Sequence, residues 1–162
     1  MKKITAIVLA ALLLTGCGRQ TVFENVNDEW VEPVSAEIRE ILVILPPETA
    51  SPVLEGENGA AYACGNYEVY RQVLPSGDLS ATVRSVSGYG PEELTLIRTE
   101  QSDAHRYDFV WISAADSGER VGKGCILDDG SYHYVLTVLA DAEDAEENRE
   151  AWQEIFDSFA LG

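Results

Sequence analysis

The sequence predicts an α+β fold, a mostly antiparallel sheet of six or seven strands flanked by two helices. Three observations carry that expectation. Two apolar runs, Arg120–Leu127 and Tyr132–Ala140, flank Asp129-Gly130, a strong short hairpin signal. Leu79, Thr82, Val83 and Val86 recur at helical spacing between Asp78, a good N-cap, and Gly88, a C-terminal stop. The closing stretch Ala145–Phe159 gathers Trp152, Ile155, Phe156 and Phe159 on one helical stripe, with acids elsewhere.

In chain order, Ile38–Leu45 (IREILVIL), stopped by Pro46-Pro47, reads as a first strand. The following ETASPVLEGENG is a loop by its Pro, Gly, Asn and Ser content. Ala60–Cys64 and Tyr67–Leu74 flank Gly65-Asn66, a two-residue hairpin turn. After the helix come four strands, Leu94–Thr99, Arg106–Ala114, Arg120–Leu127 and Tyr132–Ala140. A turn centred on Asp129-Gly130 sets Leu127 opposite Tyr132, Ile126 opposite His133 and Cys125 opposite Tyr134. One face of this hairpin then carries Cys125, Leu127, Tyr134, Leu136 and Val138, and the other Ile126, Val135 and Leu139. Both faces are apolar, so the hairpin needs cover on each side. The terminal helix supplies part of it, and the acids crowding its start, Asp141 to Glu147, suit the helix dipole. They lack the DxDxDG spacing of a calcium loop.

The chain opens differently. Lys2 and Lys3 precede an apolar run, Ile4–Leu14, broken only by Thr5. A positive start, a short apolar stretch and small residues before a cut make a secretory signal, too short to span a bilayer comfortably. Leu14-Thr15-Gly16-Cys17 resembles the lipobox of bacterial lipoproteins. That resemblance implies that the Cys17 thiol carries diacylglycerol and that cleavage falls just before it. It divides the chain into a signal peptide (1–16), a lipidated N-terminus and tether (17–35) and a single α+β domain (36–162). The implied location is extracytoplasmic, lipid-anchored to the bacterial cell membrane. Gly18 at the following position resembles outer-membrane sorting where the cell has two membranes. Buried methylenes hold such an anchor at about 0.8 kcal/mol each.

Removal of residues 1–16, which carry two lysines and no acid, takes the formal net charge from −17 to −19. Phosphate backbones repel such a chain, so nucleic acid is not an expected partner. Val22, Phe23, Val26, Trp30 and Val31 make the tether more apolar than a free linker. Cys64 and Cys125 are the cysteines left beside Cys17. They fit either of two readings: a disulfide, stabilising by roughly 4 kcal/mol through its long loop, or two small buried thiols on neighbouring strands. No CxxC motif or Cys/His cluster suggests a metal, and no cofactor motif is present.

A hydrolase needs a nucleophile, a base and an orienting group. His133 lies within a strand and reads as a half-buried packing residue; His105, in SDAHRYD, reads as exposed. Ser113 and Ser117 lack the GxSxG elbow, and Gly88-Tyr89-Gly90 follows a helix instead of opening one. No catalytic residue is therefore assigned. Tyr107, Phe109 and Trp111 alternate along one strand, either as the wall of a ligand groove or as core beneath a helix. Arg71, Arg84, Arg98 and Arg106 read as members of surface pairs.

The order of elements, with Tyr132–Ala140 leading into a terminal helix that holds Trp152, Ile155, Phe156, Ser158 and Phe159, resembles the PsbP-like α/β/α sandwich. The resemblance spans roughly residues 36–160. The whole chain also looks like small lipoproteins of Firmicutes type. Members of the PsbP-like group mostly bind or support assembly without a catalytic centre, and none of their functional residues can be matched here. The leading expectation is a membrane-anchored, non-catalytic binding or assembly module, not an enzyme, with a protein partner. The alternatives are a small-ligand carrier with a cavity beside Tyr107, Phe109 and Trp111, and a hydrolase-type enzyme using His105 or His133.

Overall fold

The computed structural model describes residues 36–162 apart from 48, 50, 116 and 117. The signal peptide, Cys17, the tether and Ser117 lie outside the described residues. Of the strands, β1 (Ile41–Leu42) and β9 (Ala160–Leu161) pair with each other. The main sheet has seven strands: β2 (Leu54–Gly56), β3 (Gly59–Cys64), β4 (Tyr67–Pro75), β5 (Ile97–Gln101), β6 (Ala104–Ala115), β7 (Gly118–Asp128) and β8 (Tyr132–Asp141). Their order across the sheet is β2-β3-β4-β8-β7-β6-β5, antiparallel at every junction. Among the described residues three α-helices accompany the sheet, α1 (Leu79–Ser87), α2 (Ala142–Glu147) and α3 (Arg149–Ser158), with a single 3-10 turn at Pro91–Glu93. This is the α+β class that the sequence predicts.

Helix α1 begins where expected. The Asp78 side chain accepts a hydrogen bond from the Ser80 N–H, and Gly88 ends the helix at φ 81°. The helix covers one sheet face, where Val83 packs with Phe109, Trp111, Ile126 and Val135. The opposite face is covered by α3 and by the entering segment 38–45. There Trp152, Ile155, Phe156 and Phe159 meet Val69, Leu127, Tyr134, Leu136 and Val138, all buried. The two faces of the central hairpin divide as the alternation predicts.

Its register does not follow the expectation. The pairs are Leu127↔Tyr134, Ile126↔Val135 and Cys125↔Leu136, each shifted by two residues. The turn sits on Gly130-Ser131 instead of Asp129-Gly130, because the Asp129 carboxylate accepts from both the Ser131 and Tyr132 N–H groups. Moving the turn by one residue changes the register by two, which preserves which side chains share a face.

The expected strand Ile38–Leu45 shrinks to two paired residues, because its only ladder partner is the equally short β9. Its alternation still acts: Ile41, Val43 and Leu45 pack on the core, while Ile38, Leu42 and Ile44 face out. The segment is held by Arg39, whose guanidinium bonds both Asp103 oxygens at 2.9 Å and the Gly162 carbonyl at 3.1 Å. The stretch read as a loop contains β2, which extends the β3–β4 hairpin. The closing helix is broken at Asn148 into α2 and α3.

Candidate functional site

The aromatic run on β6 is core. Phe109 and Trp111 are 2 % and 5 % exposed and stack at 5.6 Å between ring centroids. They lie over Gly124 and Gly122, their partners on β7, whose missing side chains make room for the rings. Tyr107 packs partly buried against the same cluster. No groove opens between the three rings; Phe109 alone touches one, described below.

The two cysteines are not bridged. Cys64 on β3 pairs with Tyr67, Tyr67 with Ala140, and Ala140 with Val121, so Cys64 is level with Val121 on β7. Cys125 is four residues further along β7. Three strand spacings, about 14 Å, separate the two chains before that offset is added, whereas a disulfide requires Cα atoms about 4.4–6.8 Å apart. The alternative of buried thiols holds, though on strands that are not neighbours. Thr49 Oγ1 lies 3.2 Å from Cys64 Sγ, and burial pushes the Cys125 thiol far above its ordinary range, beyond use as a nucleophile at neutral pH.

The two histidines sit in different surroundings. His133, 1 % exposed, has Nδ1 2.8 Å from the Thr82 hydroxyl and sits opposite Asp128. It is fully buried between β8 and α1, where a half-buried position was expected. His105 is partly exposed, where an exposed position was expected, and lies 2.7 Å from Glu100. Arg84 and Arg98 make exposed pairs with Glu92 and Glu100, and Arg71 lies over the Tyr62 ring. Arg106 is no surface pair: it holds Asp108 at 2.7 and 2.9 Å and reaches the Phe156 carbonyl at 3.2 Å, largely out of solvent. Among the described residues no three His, Cys, Asp or Glu side chains are grouped to hold a metal ion, and no helix is long and apolar enough to cross a membrane.

Two of the grooves among the described residues lie on opposite faces of the sheet. One, of about 470 Å³, lies beside α1 and is lined by Leu54, Ala61, Tyr70, Val86, Thr137 and Leu139. The other, about 730 Å³, lies on the opposite side, where β5 starts. Pairing between β5 and β6 stops at Ile97↔Asp108, so among the described residues no strand pairs with the outer edge of β6 from Phe109 onward. Tyr89 confirms which way that edge points, since its hydroxyl donates to the Ile112 carbonyl at 2.7 Å. Ile97, Val110 and Ile112 are 58 %, 55 % and 55 % exposed and share one face of the sheet. Lys123, opposite Val110 on β7, is half-buried with its ammonium 4.4 Å from the centre of the Phe156 ring. Burial lowers its pKa from the ordinary lysine value.

The sequence reading missed this second groove. The run Phe109-Val110-Trp111-Ile112 carried the signal, being apolar on both faces of one strand when α1 can cover only one.

No family model matches the chain, and no curated protein matches it. Solved structures do resemble it in shape. The Ran-binding protein Mog1p of Saccharomyces cerevisiae is 10 % identical, with TM-score 0.46 over 75 % of this chain and 89 % of that one. PA94 of Pseudomonas aeruginosa, a protein of unknown function, is 11 % identical, with TM-score 0.45 over 79 % and 87 %. LpqN of Mycobacterium tuberculosis, involved in cell envelope biogenesis, is 11 % identical, with TM-score 0.46 over 78 % and 87 %.

Proposed function

We propose that the protein is a membrane-anchored extracytoplasmic lipoprotein, held by lipid on Cys17, whose domain is a non-catalytic binding or assembly module. The observation that carries the binding reading is the uncovered apolar strip Ile97, Val110 and Ile112 at the outer edge of β6. A strongly acidic domain has little reason to expose three branched apolar side chains together unless that face meets something. Beyond Asp108 no described strand pairs with this edge, which leaves backbone groups other than the Ile112 carbonyl, taken by Tyr89, for an added strand. The anchoring reading rests on Leu14-Thr15-Gly16-Cys17.

A photo-reactive amino acid placed at Val110, with exposed Glu57 as the control position, tests both parts in intact bacteria. A specific adduct at position 110, identified by mass and lost with Cys17→Ala, is the expected result. Equal labelling at both positions, or an unchanged membrane fraction after Cys17→Ala, would refute the binding and the anchoring readings respectively.

A further inference from the structure

The Ile112 carbonyl points outward to the Tyr89 hydroxyl, and a strand residue carries its N–H and C=O on the same side. The two-residue period then turns the Val110 N–H and C=O outward as well, together with the Ile112 N–H. Among the described residues β5 pairs with this edge only as far as Asp108, and no backbone group bonds to Val110 from outside. Unpaired sheet edges are usually guarded by charge, by proline or by being short. The terminal strand β5 carries Arg98 and Glu100, and β2 at the far end of the sheet has three residues. From Phe109 to Ala115, β6 has neither a charged residue nor a proline.

The groove beside this edge has a sign. Glu93, Asp108 and Asp157 line it against Arg106 and Lys123, an excess of one negative charge. Arg106 holds Asp108, and Asp108 and Asp157 both act on Lys123 through space, so both cations are answered by acids. The Gly90 N–H bonded to Glu93 and the Gln153 amide bonded to Asp157 are neutral and leave those carboxylates charged. A positive group entering here is attracted and an anion repelled. A second copy of a chain with formal net charge −17 would bring like charge to like. Next to the acids stand Ile97, Val110 and Ile112, all exposed.

We propose that the outer edge of β6 at Val110 and Ile112 takes an extended segment of a partner protein as an added strand, an apolar segment that carries a lysine or arginine. The inference rests on the binding reading above and names the kind of partner. The segment's backbone meets the Val110 N–H and C=O and the Ile112 N–H. Its alternate side chains lie on Ile97, Val110 and Ile112, and the basic one enters the groove that Glu93 and Asp157 line. Main-chain bonds give such a contact its affinity, and the alternate side chains give it selectivity.

The test uses the full chain carrying Cys17→Ala, isotope-labelled for amide NMR, and the capped peptide acetyl-Thr-Val-Thr-Lys-Thr-Val-Thr-amide. When extended, its valines and lysine share one face. Titration is expected to show saturable binding, with the Val110 and Ile112 amide signals moving furthest and gaining protection from hydrogen exchange. A peptide with glutamate in place of the lysine should bind about tenfold more weakly, since the acid meets acids. Methylation of the peptide's alternate backbone nitrogens on the side facing β6 should abolish binding, because it removes the donors an added strand needs. Asp157→Asn, at an exposed position, should weaken the lysine peptide roughly threefold without lowering the melting temperature. Equal affinity for the lysine and glutamate peptides, undiminished binding of the methylated one, or no saturable shift at Val110 would overturn the proposal. So would an edge occupied by a second copy, seen as concentration-dependent dimerisation abolished by Val110→Lys. If the peptide fails while the adduct at position 110 persists, the binding reading stands and only the partner class falls; if both fail, both fall.

Discussion

Gly122 and Gly124 do a job that a side-chain inventory would overlook. Each is the β7 partner of an aromatic on β6, and a methyl at either place would run into the ring of Trp111 or Phe109. Neither glycine has a positive φ, so their role here is space and not backbone freedom. Gly124→Ala is therefore expected to cost about 1–3 kcal/mol through overpacking, read as a lower urea midpoint with an unchanged slope. An exposed glycine such as Gly77, with open space around it, should tolerate the same change. Alternation showed that Phe109 and Trp111 share a face, but not that their neighbours across the ladder are glycines. That fact depends on register, which is set by a turn several residues away.

At the scale of elements, three strands are tied together by charge across their ends. Arg120 on β7 reaches Glu68 on β4 at 3.0 Å and approaches Asp141 on the intervening β8 at 3.6 Å, while the Tyr70 hydroxyl donates to Glu68 at 2.8 Å. The Arg120 hydrogen bond is the largest cause holding the Glu68 carboxyl below its ordinary value. A carboxylate depressed in the folded state stabilises it above the unfolded value, and that contribution is lost as pH falls through the folded one. Glu68→Gln should accordingly sit slightly below the wild type at neutral pH, by little for a partly exposed pair, and converge with it as pH falls below about 4.3, the ordinary glutamate range, which flattens part of the acid limb. Urea titrations of both proteins from pH 3 to 7 would show this, and superimposable acid limbs would contradict it. Elements with local signals were legible: Asp78 and Gly88 bound α1, and Gly65-Asn66 joins β3 to β4. Those defined by a distant partner were not. β1 and β9 exist because residues 41–42 find residues 160–161, and no nearby residue announces such a pair.

Over the whole molecule, the two domain thiols are buried in one continuous core without being near each other. Cysteine count and compartment alone made a disulfide as reasonable as its absence; strand order decides it. The Cys17→Ala protein should therefore show no mass change on reduction. Its two thiols should resist Ellman's reagent until guanidinium unfolds the domain, and immediate reaction of either would show that the core opens locally. The candidate groove was illegible for a related reason. Lys123, Val110, Ile97 and Phe156 come from four elements, and their meeting depends on where β5 stops pairing with β6 and on α3 packing over that face. The aromatic triplet that drew attention in the sequence belongs to the opposite face.

The clasp between the two ends of the domain has a consequence for engineering. The Gly162 N–H donates to the Glu40 carbonyl at 2.9 Å, so the chain enters and leaves the fold through one doorway. A few residues of linker could join these ends, and the chain could be reopened at the tip of a hairpin away from Asp103 without cutting the seven-strand ladder. The domain is thus built as a cassette. It can be spliced into a surface loop of another protein, carrying its groove with it, because its entering segment passes within hydrogen-bonding distance of residue 162.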